Sequence, residues 1–224
     1  MNKSVSHKLQ LNATLPKGTK RRYKKQKNLK PKLQEQPEVV PAEVVKEPIE
    51  VEQAQKKIIF EPNPGPQTEF LSANEREVLY GGSAGGGKSY AMLADPVRYL
   101  NNPHFRGLLV RRTTEELREL ISVSKQLYPQ AIPDIKFMER DKTWVAPSGA
   151  TLWLSYLDRD DDVTRYQGQA FSWIGFDELT QWPSPYPFDY MRSRLRTTRD
   201  SGLEVYQRAT TNPGGPGHSW VKKM

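Results

Sequence analysis

The sequence predicts an α/β fold, a mainly parallel central sheet flanked by helices, on three observations. From residue 58 onward, short apolar runs alternate with helix-patterned segments, the texture of βα units. A glycine-rich stretch, residues 82–87, joins one apolar run to a helical segment. A second run, FSWIGF, ends in the acidic pair Asp177 and Glu178.

Taken in order, EVLYGG (77–82) reads as a strand entering a glycine turn, and KSYAMLADPVRYL (88–100) as a helix shortened or kinked at Pro96. RGLLVRR (106–112) is a strand, and TTEELRELISVSKQL (113–127) a helix capped by Thr113 or Thr114. KTWVAP and ATLWLSYL form a hairpin around Ser148 and Gly149. FSWIGFDE (171–178) is a buried strand, PFDYMRSRLRTT (187–198) a short helix, and LEVYQRATTN (203–212) a last strand running into NPGGPG. The segment from residue 58, about 167 residues, is long enough for one core.

Composition narrows the chemistry. The 224 residues include no cysteine, which removes disulfide staples, zinc fingers and thiol catalysis, and His7, His104 and His218 are too scattered to form a metal cluster. No stretch reaches the roughly 18–20 apolar residues of a membrane span, and the basic N-terminus lacks the apolar core of a signal peptide, so a cytoplasmic protein away from membranes is expected. The net charge of +8 is local: residues 1–34 hold 11 Lys and Arg and no acid, leaving 23 basic against 26 acidic residues. Glu35, Glu38, Glu43, Glu47, Glu50 and Glu52 then alternate with Pro37, Pro41 and Pro48, a spacing that forbids a long helix. Residues 1–57 are therefore expected to be disordered, a basic arm followed by an acidic, proline-rich linker, with the folded domain at 58–224. The arm either contacts a nucleic-acid backbone by counterion release or is a solvated tail paired with its own linker.

Gly82-Ser83-Ala84-Gly85-Gly86-Gly87-Lys88-Ser89 fits G-x-x-x-x-G-K-[ST] between a strand and a helix, the context a phosphate-binding loop requires. Its glycines let successive backbone N–H groups face phosphate oxygens, and the helix adds its positive end. Lys88 would reach the β and γ phosphates of ATP, and Ser89 would place its hydroxyl on Mg²⁺. Asp177, at the end of a buried strand, would support that metal, while Glu178 orients and polarises the attacking water. A helix cap is the plain alternative for the acidic pair. Together with the loop upstream, the pair predicts a P-loop NTPase of the ASCE type.

These segments resemble the ATPase domain of the large terminase subunit, the DNA-packaging motor of tailed phages and prophages, over about residues 61–224. EPNPGPQTEFL is similar to that family's adenine-side motif, LYGGSAGGGKSYAML to its Walker A region, LLVRRTTEEL to the next strand and helix, RYQGQAFSWIGFDELTQWP to the segment through Walker B, and ATTNPGGPGHSWVKK to its coupling motif. The resemblance implies Gln67 as base reader and Thr211 and Asn212 as sensors of the γ-phosphate. It implies a homo-oligomeric ring in the bacterial host's cytoplasm, docked transiently on the procapsid's portal protein, working with the small terminase subunit and driving double-stranded DNA inward. Such a ring needs a cation at the γ-phosphoryl. Arg165, in the polar loop DRDDDVTRYQG, is the first candidate for a neighbouring subunit's finger, Arg111 and Arg112 are candidates in cis, and Arg194 and Arg196 are more remote. An ion pair with Asp158, Asp160, Asp161 or Asp162 is the plain reading of Arg165.

Complete members continue into a nuclease domain, which this chain is expected to lack. The acid run 158–162 does not replace it, because two-metal nucleases gather carboxylates from separate strands. Two other classes compete: a different P-loop DNA translocase or helicase, and a nucleotide- and DNA-binding assembly module without turnover.

Overall fold

The computed structural model describes residues 58–224, so the basic arm and the acidic linker lie outside the described residues. Strands β1 (Glu77–Gly81), β2 (Arg106–Arg111), β3 (Lys136–Met138), β4 (Thr143–Val145), β5 (Thr151–Tyr156), β6 (Trp173–Phe176) and β7 (Tyr206–Thr211) form one sheet, in the order β1-β7-β6-β2-β5-β4-β3. The first five of that order are parallel, and β5, β4 and β3 continue antiparallel. The α-helices are α1 (Pro66–Ser72), α2 (Lys88–Ala94), α3 (Thr114–Ala131), α4 (Tyr186–Arg192) and α5 (His218–Val221).

Strand periodicity divides the apolar side chains between two faces. Leu109 and Trp173 point toward α2 and α3 and pack with Met92, Leu93, Leu117 and Leu120. Their neighbours Leu108, Val110, Ile174 and Phe176 point the other way, against Phe188 and Met191 of α4. Near-continuous apolar β2 and β6 are what a sheet covered on both faces demands. Insertion of β7 between β1 and β6 gives the ASCE arrangement and brings the ends of β1, β7, β6 and β2 to one edge of the sheet.

The shortening at Pro96 and the Thr113 cap follow the sequence-based expectation, whereas the ends of α3 and α4, the segment around Asp160 and strand β3 depart from it. The helix beginning at Lys88 gives way at Ala94 to a 3-10 turn, Asp95–Tyr99, around Pro96. Thr113 caps α3 reciprocally with Glu116: the Glu116 N–H donates to the Thr113 hydroxyl at 3.3 Å, and the Thr113 N–H to the Glu116 carboxylate at 3.1 Å. That helix runs past Pro129 to Ala131, because buried Tyr128 anchors its last turn, donating its hydroxyl to the Leu93 carbonyl at 2.9 Å. The helix expected over 187–198 stops at Arg192. Beyond it the chain pairs with Phe171, whose N–H donates to the Arg194 carbonyl and whose carbonyl accepts from the Arg196 N–H, both at 3.0 Å. The polar stretch around Asp160 is a 3-10 helix, Asp160–Tyr166, and not a loop, since Val163 and Tyr166 are buried beneath it. The short strand β3 has no counterpart in the sequence-based expectation.

Candidate active site

At the shared edge β1 enters a loop whose path depends on left-handed backbone at Gly85 (φ 83°) and Gly87 (φ 70°). A side chain at Gly87 would also collide, since a Cβ there would lie 2.6 Å from Gln67 Nε2. Gln67 is buried on α1 and braces the loop: its Nε2 donates to the Gly87 carbonyl at 3.0 Å while its Oε1 accepts from Asn63 N–H at 2.6 Å. The Tyr80 hydroxyl holds the Gly86 carbonyl at 2.9 Å. Buried Lys88 folds back across the loop and donates from Nζ to the Ser83 carbonyl at 2.6 Å. A cavity of about 310 Å³ opens here, lined by residues 84–90 with Arg111, Glu119, Glu178 and Asn212.

Parallel register assembles the cavity's inner wall. Val110 pairs with Phe176 and Phe176 with Ala209, so the next residues, Arg111, Asp177 and Thr210, lie side by side on β2, β6 and β7. Asp177 is fully buried. Its Oδ1 accepts from the Ser89 hydroxyl at 3.1 Å and from the Thr210 hydroxyl, and its Oδ2 accepts from Arg111 Nε at 2.6 Å. Arg111 Nη2 also reaches Ser89 Oγ at 3.4 Å.

Glu178 turns the chain out of β6 in a left-handed conformation, φ 60° and ψ 55°, rare outside glycine and concentrated at functional sites. Asn212 Nδ2 donates to its Oε1 at 2.6 Å, and its N–H donates to Thr210 Oγ1 at 3.2 Å. Burial, and then the adjacent Asp177 carboxylate, raise the Glu178 pKa above the ordinary glutamate value, although Arg111, a backbone hydrogen bond from Asn212, and Lys88 pull it down. Asn212 Oδ1 is buried without a hydrogen-bond partner among the described residues.

The predicted residues divide into two groups. Ala84 through Ser89, Glu178 and Asn212 line the cavity, and Asp177 forms its buried floor through Ser89. Gly82 and Ser83 form the outer limb of the loop, and Gln67, Thr211 and Arg165 do not line the cavity. The Thr211 hydroxyl points to Thr180, donating to its Oγ1 at 2.9 Å, and so ties β7 to the 3-10 turn Leu179–Gln181 that follows Glu178. Arg165 is held within its own segment: Nη2 donates to the Tyr156 carbonyl at 2.6 Å and lies 3.7 Å from Asp162. Arg112 pairs with Asp160, Arg194 stacks on Tyr190, and Arg196 bonds the carbonyls of Gly168 and Gln169. Thr210, Tyr80 and Glu119 belong to the site without having been singled out by the sequence. No cluster of three or more His, Asp or Glu able to hold a metal occurs among the described residues, the 158–162 acids included.

A family model described as the N-terminal part of the T4-like-virus type of terminase large subunit matches residues 79–222. The chain belongs to the large terminase subunit family. No curated protein sequence matches it. Among solved structures, the large terminase of a thermophilic bacteriophage is 19% identical with a TM-score of 0.55, over 73% of this chain and 42% of that one. The HK97 bacteriophage large terminase is 11% identical with a TM-score of 0.55, over 73% of this chain and 36% of that one. The large terminase ATPase domain of Thermus phage P74-26 is 15% identical with a TM-score of 0.51, over 70% and 66%. These likenesses establish the P-loop terminase fold, and the match spans less than half of the first two proteins. No helix among the described residues is long and apolar enough to cross a membrane.

Proposed function

We propose that this chain is the ATP-hydrolysing motor domain of a phage DNA-packaging terminase, coupling turnover to the movement of double-stranded DNA into a procapsid. One observation carries the reading most of the way: Lys88, Ser89, Asp177, Glu178 and Asn212, from separate segments of the chain, converge on one glycine-lined cavity.

The residues fit a magnesium nucleotide. Ser89 and Asp177 offer hard oxygens, and Mg²⁺ usually takes only one or two such groups from protein, completing its shell with water and phosphate. Held by Ser89 and Asp177, the ion would offset the negative charge of the phosphate oxygens. Lys88 exchanges the Ser83 carbonyl for a phosphate oxygen. Asn212 occupies Glu178 Oε1 and leaves Oε2 to orient a water molecule and accept its proton; the raised pKa brings this carboxylate nearer the proton affinity a general base needs. Thr211 links that event to the backbone after Glu178 through Thr180, a route by which hydrolysis can move β7 and the segment beyond it. Gln67 acts by holding the loop, and Arg165 is the cation offered to a neighbouring copy in a ring. Portal protein and small terminase subunit are the partners this role requires.

The test is ATP turnover with and without double-stranded DNA. Turnover that rises on adding DNA and vanishes in Lys88→Ala supports the motor. Turnover indifferent to DNA leaves an ATPase and removes translocation from the reading.

A further inference from the structure

The wall of the cavity holds a cation that the hydrolytic scheme does not use. Arg111 is buried, and its guanidinium bonds both residues assigned to the metal: Nε to Asp177 Oδ2 at 2.6 Å and Nη2 to Ser89 Oγ at 3.4 Å. We propose that Arg111 is an internal counter-ion that occupies the divalent cation's place between Ser89 and Asp177, and that metal loading must displace it. The inference rests on the proposed function, because it takes Ser89 and Asp177 as the metal's residues.

The argument is one of lone pairs and charge. Three of the roughly four lone-pair sites of Asp177 are taken, two on Oδ1 by Ser89 and Thr210 and one on Oδ2 by Arg111. A divalent ion needs the oxygen lone pairs to which these N–H and O–H groups now point, and its charge repels a guanidinium at the same atoms. A fully buried carboxylate is costly without a partner, so something must neutralise Asp177 before metal arrives. Arg111 does so with the planar, multi-donor fork that lysine lacks. Parallel register puts the arginine where it is needed by setting residue 111 beside residue 177. Once displaced, the guanidinium remains on the wall of the cavity it already lines.

Binding of Mn²⁺ alone, followed by electron paramagnetic resonance, reads the competition without turnover. Arg111→Gln is expected to bind Mn²⁺ at least tenfold more tightly than wild type, and the added Asp177→Asn change to abolish the gain. Equal or weaker Mn²⁺ binding by folded Arg111→Gln overturns the proposal, as does a gain that survives Asp177→Asn. A second measurement uses the wild-type chain, so that it does not depend on the variant folding. The Arg111 Nε–H proton, assigned by its loss in Arg111→Lys, should shift or disappear when Mg²⁺ and ADP are added together and stay in place with ADP alone. A signal unmoved at saturating Mg²⁺ contradicts displacement. The underlying reading fails separately, if Asp177→Asn in the Arg111 background leaves Mg²⁺-dependent nucleotide binding intact.

Discussion

Two buried aspartates, Asp177 and Asp95, look alike by exposure and differ in every consequence. Asp95 sits among aromatic groups at the far end of α2. Its Oδ2 accepts from Trp173 Nε1 at 2.8 Å and from the Tyr206 hydroxyl at 3.0 Å, while Oδ1 meets Arg98 at 2.8 Å. Arg208, stacked on Tyr206 with its charge centre 4.1 Å from the ring centroid, adds a cation 4.0 Å away. Burial, and then the Asp95 charge, raise the Tyr206 pKa above the ordinary tyrosine value, so this hydroxyl is fixed as a donor. Asp177 is held by a serine, a threonine and an arginine beside an open cavity, groups that can change partners when a ligand arrives. A buried ion pair is thus no mark of function by itself. Exchangeable donors next to a phosphate-shaped loop are.

The comparison yields graded predictions. Glu178→Gln should lower ATP turnover by about 10²–10⁴, the usual contribution of a general base, and leave the thermal midpoint unchanged or slightly raised. The sign follows from its raised pKa: the folded state holds this proton more tightly than the unfolded chain, so stability from Glu178 is present at low pH and lost as pH rises through the folded pKa. A neutral glutamine avoids that loss. At the other aspartate the order reverses: Asp95→Ala should destabilise the domain by about 3–5 kcal/mol, roughly 10 °C in a melting curve, by stranding its buried donors. Activity per folded molecule should stay near wild type, and selective loss of turnover without a lower melting point would erase the distinction. Tyr206→Phe removes one charged hydrogen bond from that network and should cost about 1.5–3 kcal/mol in chemical denaturation, again with little effect on turnover. The smallest effect belongs to Asn212→Ala. It deletes the side-chain donor to Glu178 Oε1, a hydrogen bond that favours the charged carboxylate, so the acid limb of the pH–rate profile should move to higher pH, and a shift to lower pH would contradict the assignment.

What the sequence could tell follows from which interactions are local. The phosphate loop is legible because its glycines, its lysine and its flanking strand and helix are contiguous, and Asp177 and Glu178 because an apolar run delivers them. Arg111 could be read only as a strand-end arginine, since its meaning comes from register with β6, more than sixty residues downstream. Thr210 was hidden for the same reason: in ATTN the residue that meets Asp177 is chosen by pairing between β6 and β7. The alternation that sends Thr210 toward Asp177 sends Thr211 toward Thr180, which no reading of the motif alone decides. The buried side of the 158–166 stretch was masked by its run of acids, with Val163 and Tyr166 the only apolar signal.

The most direct test of the site is to measure ATP binding and hydrolysis in parallel for wild type, Lys88→Ala and Glu178→Gln at saturating Mg²⁺. The structure predicts that Lys88→Ala loses affinity for ATP, whereas Glu178→Gln binds ATP as tightly as wild type and hydrolyses it about 10²–10⁴ times more slowly. Wild-type turnover in Glu178→Gln, or ATP affinity unchanged in Lys88→Ala, would contradict the assignment of these residues to water activation and phosphate binding.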